Sequence, residues 1–258
     1  MSAVALVAHQ FRYDQKSFWR NPASVFFTVM FPVLLLVIFA LVFSGQQVDI
    51  AGGIDVDAYY VPAIITLAVV SATMQSLAMS LTIAREDGRL KRGRGTPMPP
   101  WVFIAGRVGN AIVVSLLMLV LIAAIGRLAF GVAIPWSRLP EIVLTLAVGA
   151  AAFCCLGIAL TAAIPSEDAA APIANFVLLP LYFLSGIFIP EDQIPGGVLA
   201  FADAFPVRHF FEAFFNVYEP SSAGGAGMQW GHLAVVAAWG VLGLVLAARY
   251  FRWTPRES

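Results

Sequence analysis

The 258 residues are 60% hydrophobic and only 12% charged, with a mean hydropathy of +0.85, which excludes a water-soluble globular fold. Fifteen basic and fifteen acidic residues sum to +0, so net charge points to no partner, and no nucleic-acid binding is expected. Several nearly uncharged apolar runs of about 18 residues or more predict an all-α, polytopic membrane protein.

Residues 1–22 form the first predicted unit. Val4, Val7, Phe11 and Phe18 recur near helical spacing, while Arg12, Lys16 and Arg20 follow one another four apart. This two-faced spacing predicts an amphipathic helix in the cytoplasmic membrane interface, ended by Asn21 and Pro22. Charges interrupt the stretch and it has no small-residue cleavage site, so no cleavable signal peptide is expected. The remainder, 23–258, reads as one transmembrane domain with six spans near 25–43, 58–84, 102–125, 142–164, 170–189 and 232–250.

Span two carries Ser71, Thr73, Gln75, Ser76 and Ser80. The loop after it runs Arg85-Glu86-Asp87-Gly88-Arg89-Leu90-Lys91-Arg92-Gly93-Arg94-Gly95-Thr96-Pro97-Met98-Pro99-Pro100 and holds five of the fifteen basic residues. Span three has Arg107 near its start, close enough to the boundary to snorkel into the interface. Gly149 and Gly157 in span four, and Ala237, Gly240 and Gly243 in span six, are small residues that let helices approach closely. They predict packing within the bundle or, alternatively, a moving or dimeric interface. Neighbouring Cys154 and Cys155 point about 100° apart on a helix, which predicts buried thiols rather than a disulfide or a metal site.

Span five contains Pro172 and Pro180, which predict a kink, together with Asn175, Tyr182 and Ser185. Ser71, Gln75, Asn175, Tyr182 and Ser185 are candidates to line a path for an amphipathic substrate; equally, they are candidates for hydrogen bonds between helices. Segment 190–231 alternates apolar clusters (Val198, Leu199, Phe201, Phe205, then Phe210, Phe211, Phe214, Phe215) with Asp203, Arg208, Glu212 and Glu219. Two short re-entrant helices that dip into the outer leaflet or cap the bundle are expected. Phe205, Pro206, Arg208, Phe210 and Glu212 are candidates for an outer gate.

Charge sets the orientation. Twelve basic residues fall in the N-terminal tail, the 85–100 loop, the start of span three and the C-terminal tail, whereas only Arg127, Arg138 and Arg208 fall on the other side. That other side carries most of the acids, including Asp49, Asp55, Asp57, Glu191 and Asp203. The positive-inside rule therefore places both termini and the 85–100 loop in the cytoplasm of a cell membrane. The Arg-rich, Lys-poor basic set points to a bacterial source.

Chemistry is sparse. No Gly-x-x-x-x-Gly-Lys-[Ser/Thr] phosphate loop occurs, so the chain is not expected to hydrolyse ATP, and no catalytic, cofactor or metal cluster is evident. The spans lack ionisable residues in their middle turns, which disfavours ion coupling. His9, His209 and His232 are far apart in sequence and read as surface or interface groups.

Taken in order, Arg20-Asn21-Pro22, Phe31-Pro32-Val33, the Arg85 to Arg92 run leading to Thr96-Pro97-Met98-Pro99-Pro100-Trp101, Phe183 to Pro190, and Phe205-Pro206-Val207-Arg208-His209-Phe210 resemble the membrane subunit of type-2 ABC exporters. Daunorubicin-resistance-like permeases for drugs, lipids or polysaccharides are among that family. The resemblance implies two such permeases, identical or related, each docked on a separate cytoplasmic ATPase that holds ATP and Mg. It implies that Arg85, Glu86, Asp87, Gly88, Arg89, Lys91 and Arg92 form an ATPase-coupling loop, with the interfacial helix (Phe11, Arg12, Lys16, Arg20) nearby. It implies further that the segment after span five closes the pathway outside. Gly93 and Gly95 depart from a common family form and predict a looser connection after the coupling element. The expected function is outward movement of an amphipathic substrate; the alternative is an ATP-independent carrier or a membrane-assembly scaffold.

Overall fold

The computed structural model describes residues 3–43, 47–48, 53–90, 100–219, 227–251 and 253. Helix α1 (Ala3–Trp19) ends just before Pro22, whose ring suits the first turn of a new helix, and Pro22–Val25 leads into α2 (Phe26–Val42). A two-rung antiparallel ribbon, Gln47 opposite Asp55 and Val48 opposite Ile54, precedes α3 (Val56–Glu86). Then come α4 (Pro100–Phe130), α5 (Leu139–Thr161), α6 (Ala170–Leu184), the short α7 (Gly196–Ala202), α8 (Pro206–Tyr218) and α9 (Trp230–Tyr250). Helices α3, α4, α5 and α9 are long and apolar enough to cross a membrane, and α2 and α6 are shorter apolar helices. These correspond to the six apolar runs, and the fold is all-α and polytopic.

Two helix ends differ from the sequence expectation by five residues, each for a backbone reason. Helix α6 stops at Leu184 rather than continuing to 189, because Gly186 takes φ +91°, a left-handed conformation that no helix continues through. Helix α4 continues past 125 to Phe130, where Gly131 at φ +73° ends it and Val132 N–H bonds back to the Gly126 carbonyl at 3.0 Å.

Helix α3 is the centre of the bundle. Val61, Ala63, Ile64, Ile65, Ala68, Val69 and Val70 are all completely buried, so this stretch of the helix is apolar on every side and other elements must sheathe it. Of its most apolar stretch 72% lies inside the protein, against 28% for α9 at the rim. Two wide π-turns interrupt the regular winding, at Phe26–Met30 in α2 and Ser71–Gln75 in α3.

Glycines set how closely the sheath approaches. A Cβ at Gly157 of α5 would lie 2.7 Å from the Met74 carbonyl oxygen, so backbone meets backbone at the α3 π-turn. Gly240 and Gly243 bring α9 against Ala152 and Leu156 of α5 in the same way. The small residues of spans four and six therefore pack on each other and on α3 within one chain. Cys154 and Cys155 are free thiols.

The two ends of the bundle differ in charge. The basic end gathers α1, the 85–90 turn, the 162–169 connection and the end of α9; the acidic end gathers Asp55, Glu191, Asp203 and Glu212. Between them, rows of large apolar side chains face outward, Phe27, Met30, Leu34, Ile38 and Leu41 on α2 and Phe176, Leu179 and Phe183 on α6. Surfaces this apolar belong in lipid or against protein, which agrees with a membrane location.

Gly157→Ala is expected to destabilise the protein by about 1–3 kcal/mol, the usual cost of overpacking, because the obstructing atoms are backbone. Gly231→Ala, with nothing near its Cβ, is expected to be neutral. Thermal unfolding of both variants in detergent checks the pair.

Candidate functional site

At the basic end, α3 stops in a left-handed glycine cap. Asp87 N–H bonds to the Ile83 carbonyl at 2.9 Å, Gly88 N–H to the Arg85 carbonyl at 3.0 Å, and Gly88 has φ +68°. A side chain at position 88 would strain this turn, which accounts for the glycine. Asp87 and Arg89 point outward and pair with each other, Arg89 Nε donating to Asp87 Oδ2 at 2.9 Å. Leu90, 1% exposed, pins the far side of the turn into the protein. The result is a rigid, charged, solvent-facing knob. Arg85, expected among the exposed loop residues, is instead buried at 1% exposure and faces inward, while Glu86 stays half-exposed and accepts from Arg85 Nε at 2.7 Å. Lys91 and Arg92 lie outside the described residues, as do Gly93, Arg94 and Gly95.

Helix α1 lies across the start of α4. Gly106 and Gly109 leave space into which Gln10 and Phe11 fit, and Phe18 is buried. Arg12, Lys16 and Arg20 face outward beside exposed Tyr13 and Trp19, the amphipathic arrangement their spacing predicts. Asp14 is buried among them and accepts a hydrogen bond from Gln10 Nε2 at 3.1 Å. Burial raises its pKa above the usual carboxylate range, against the opposing pull of Arg107 and the Gln10 bond. Arg107 thus lies under α1, with its guanidinium 4.7 Å from the Phe103 ring centre, rather than reaching freely to the interface. The signal for Asp14 was present in the sequence: it sits three residues after Phe11 and four before Phe18, on the apolar stripe.

Midway along the bundle, the polar residues of spans two and five meet. Ser71 Oγ and Tyr182 Oη are 3.0 Å apart, and Gln75 Nε2 donates to Asn175 Oδ1 at 2.7 Å. Further towards the acidic end the Tyr59 hydroxyl bonds to the Gly186 carbonyl and Tyr60 Oη donates to the Phe188 carbonyl at 3.1 Å. Ser185 Oγ instead turns back to the Tyr182 carbonyl at 3.0 Å. Four of the five candidate path residues therefore form one ladder between α3 and α6. The Gln75–Asn175 rung lies at the surface of the single chain, beside exposed Phe176 and Leu179.

At the acidic end, α7 and α8 are the two short helices expected, and α8 is embedded in the bundle rather than floating over it. The Phe210 ring occupies the space where a side chain at Gly149 would be, and Phe211, Phe214 and Phe215 are buried beside it. Pro206 opens α8, and Phe205 stacks on Trp239 of α9 at 6.3 Å between ring centres. Arg208 holds three acids. Its Nε donates to Asp203 Oδ1 at 2.7 Å, Nη2 donates to Glu191 Oε2 at 3.0 Å, and Nη1 pairs with Glu212 Oε1 at 3.6 Å. Burial, with repulsion from Glu191 added, pushes the Glu212 carboxyl up to about 7, and Arg208 only partly opposes this. Next to this network His209 and His232 bring their Nδ1 atoms to 2.8 Å, and His209 Nε2 lies 2.8 Å from the Asp203 carbonyl oxygen. A carbonyl only accepts, so His209 Nε2 is the donor in that contact. Twenty-three residues separate the two histidines, and nothing in their local sequence announces the pair.

No group of three or more metal-ligating side chains forms among the described residues. What the chain presents is a charged, exposed turn at one end, a polar seam in the middle and a charge network on an embedded helix at the other end. The sequence pattern of ABC-2 type transporters matches residues 5–218, from α1 through the end of α8. The chain belongs to the ABC-2 type transporter family. Among similar proteins, the inner membrane transport permease YadH of Escherichia coli K12 is 23% identical over 214 residues, covering 80% of this chain and 83% of YadH. YadH of Escherichia coli O157:H7 and of Shigella flexneri match to the same extent. Membership makes the chain a membrane transport permease rather than an enzyme, of a kind that works with an ATP-binding-cassette partner. The knob, the seam and the Arg208 network all lie inside the family stretch; the α9 partners His232 and Trp239 lie beyond it.

Folding holds a proton on Glu212 up to about pH 7, whereas the unfolded chain releases it near 4.5. Between these values the folded state binds more protons than the unfolded one, so stability falls as pH rises. Glu212→Gln is expected to flatten this slope between pH 4.5 and 7. Unfolding followed by tryptophan fluorescence, with Trp239 close to α8, reads it.

Proposed function

We propose that this ABC-2 permease moves an amphipathic substrate of the drug, lipid or glycan class outward across a bacterial inner membrane, driven by ATP hydrolysed on a separate cassette ATPase. The basic end faces the cytoplasm, as the excess of Arg and Lys there supports, and α2 and α6 join the four longer helices to make six crossings. Two permease copies, identical or related, meet at the apolar outward faces of α2 and α6. The surface position of the Gln75–Asn175 pair supports this, since a polar pair in the middle of a span is better covered by protein or substrate than by lipid. The same seam then lines the pathway, α7 and α8 form its outer gate, and drug efflux with antibiotic resistance is one outcome of such transport.

The observation that carries the ATPase role is the knob. Asp87 and Arg89 are exposed, paired and fixed by the Gly88 cap and the Leu90 anchor, so a partner that binds them moves α3 itself rather than a slack loop. Mixed charge offers acceptors to a basic surface and donors to an acidic one. Topology alone accounts for the basic residues but leaves Glu86 and Asp87 unexplained. α1, lying on α4 beside this end, presents Arg12, Lys16 and Arg20 to the same side.

Replacing Glu86, Asp87 and Arg89 together by Gln, Asn and Gln is expected to abolish co-purification of the ATPase while leaving membrane insertion intact. Undiminished co-purification with the triple variant overturns the docking reading. Vesicles reconstituted with the permease–ATPase pair and tested with a panel of amphipathic drugs and lipids decide the substrate class.

A further inference from the structure

Arg85 stands one turn before the exposed knob, yet it is among the most deeply buried side chains of the protein. Its Nη1 donates to the Thr161 carbonyl at 2.9 Å and its Nη2 to the Ile164 carbonyl at 2.7 Å, while Nε is held by Glu86. Thr161 is the last residue of α5, and Ile164 lies in the connection to α6. A helix C-terminus has four carbonyls without helical partners and a partial negative charge, so a guanidinium fork fits there as few other groups would. Around it the packing is apolar and tight. Ile164 and Ala170, the first residue of α6, cluster with Ala78 of α3, and all three are buried to 0–1% exposure. The loop that begins α6 is thereby held to α3 by side-chain bonds at the basic end and by the Gln75–Asn175 and Ser71–Tyr182 rungs further along.

We infer that Arg85 is the positioning residue through which displacement of the knob reaches α5 and α6, so that α3, α5 and α6 shift as one body. The inference rests on the docking role proposed for Asp87 and Arg89. Arg85 itself touches neither the ATPase nor the substrate. It couples by geometry, because a fork bonded to two carbonyls on one side and to Glu86 on the other cannot let the end of α3 move without dragging the end of α5. A lysine at this position has the charge but a single head, and reaches one carbonyl at a time.

Hydrogen exchange of the wild-type permease–ATPase complex, with and without ATP and vanadate to trap the ATPases closed, tests this. In the wild type, nucleotide changes amide exchange both at 86–90 and at 161–170. In Arg85→Gln the change at 86–90 persists and the change at 161–170 falls by roughly fivefold or more, the lower range of ordinary coupling free energies. Arg85→Lys gives an intermediate value, and it serves as the comparison should the glutamine variant fail to insert. A simple loss of stability would raise exchange at 161–170 in both nucleotide states instead of removing the difference between them. If Arg85→Gln keeps the full nucleotide-linked change at 161–170, or Arg85→Lys matches the wild type when it alone is measurable, Arg85 is not the link. If the wild type shows no nucleotide-linked change at 86–90, the docking reading fails first, and the inference with it.

Discussion

The bundle depends on one constraint: residues 61–70 of α3 are buried on every side, and inside lipid every element touching them must bring its own backbone bonds already satisfied. Helices meet that demand, which is why all the large elements are helical. The demand also explains where the glycines are. Where α5 crosses the π-turn of α3 it does so at Gly157, and where α9 follows α5 it does so at Gly240 and Gly243. Close approach here substitutes for the hydrophobic effect, which does not operate between two apolar helices in a hydrocarbon solvent.

Polar groups are then confined to three levels. At the basic end they cap helices, with Arg85 on the α5 carbonyls and Gly88 closing α3. In the middle they cross-link α3 to α6 through uncharged pairs, each of which satisfies its partner. At the acidic end they gather around the Arg208 charge, on a helix whose other face is phenylalanine. The gradation from capped backbone to neutral pair to charge network leaves each end with its own chemistry and the centre with uncharged groups.

The apolar runs were legible because length and hydropathy act over twenty residues at once, and they correspond to the four helices long enough to cross a membrane and to the shorter apolar α2 and α6. The ends were less so: the truncation of α6 depends on the left-handed Gly186, a single residue whose conformation composition does not reveal. Arg85 illustrates the harder limit. In sequence it is one of five basic residues in a charged loop, and only the fold shows that its reach is filled by carbonyls seventy-six residues and more away. Asp14 and Arg107 were readable in principle from helical phase, since the acid sits on an apolar stripe. The network at Arg208 was readable in half: Glu212 lies one turn on, whereas Glu191 comes in through the path of the chain around α7 and His232 from the start of α9.

The π-turn at Ser71–Gln75 holds one residue more than a regular helical turn would. A π-turn winds that surplus residue into about one turn, so the halves of α3 on either side keep nearly the phase of an unbroken helix. Arg85 and the charged knob therefore face the side that a regular helix would give them, and the surplus stays at the level where Gly157 of α5 and the Ser71 and Gln75 rungs meet α3. A change of one residue in chain length is absorbed here with the least disturbance to Arg85, whereas the same change in a regular stretch of α3 would turn everything beyond it by about 100°.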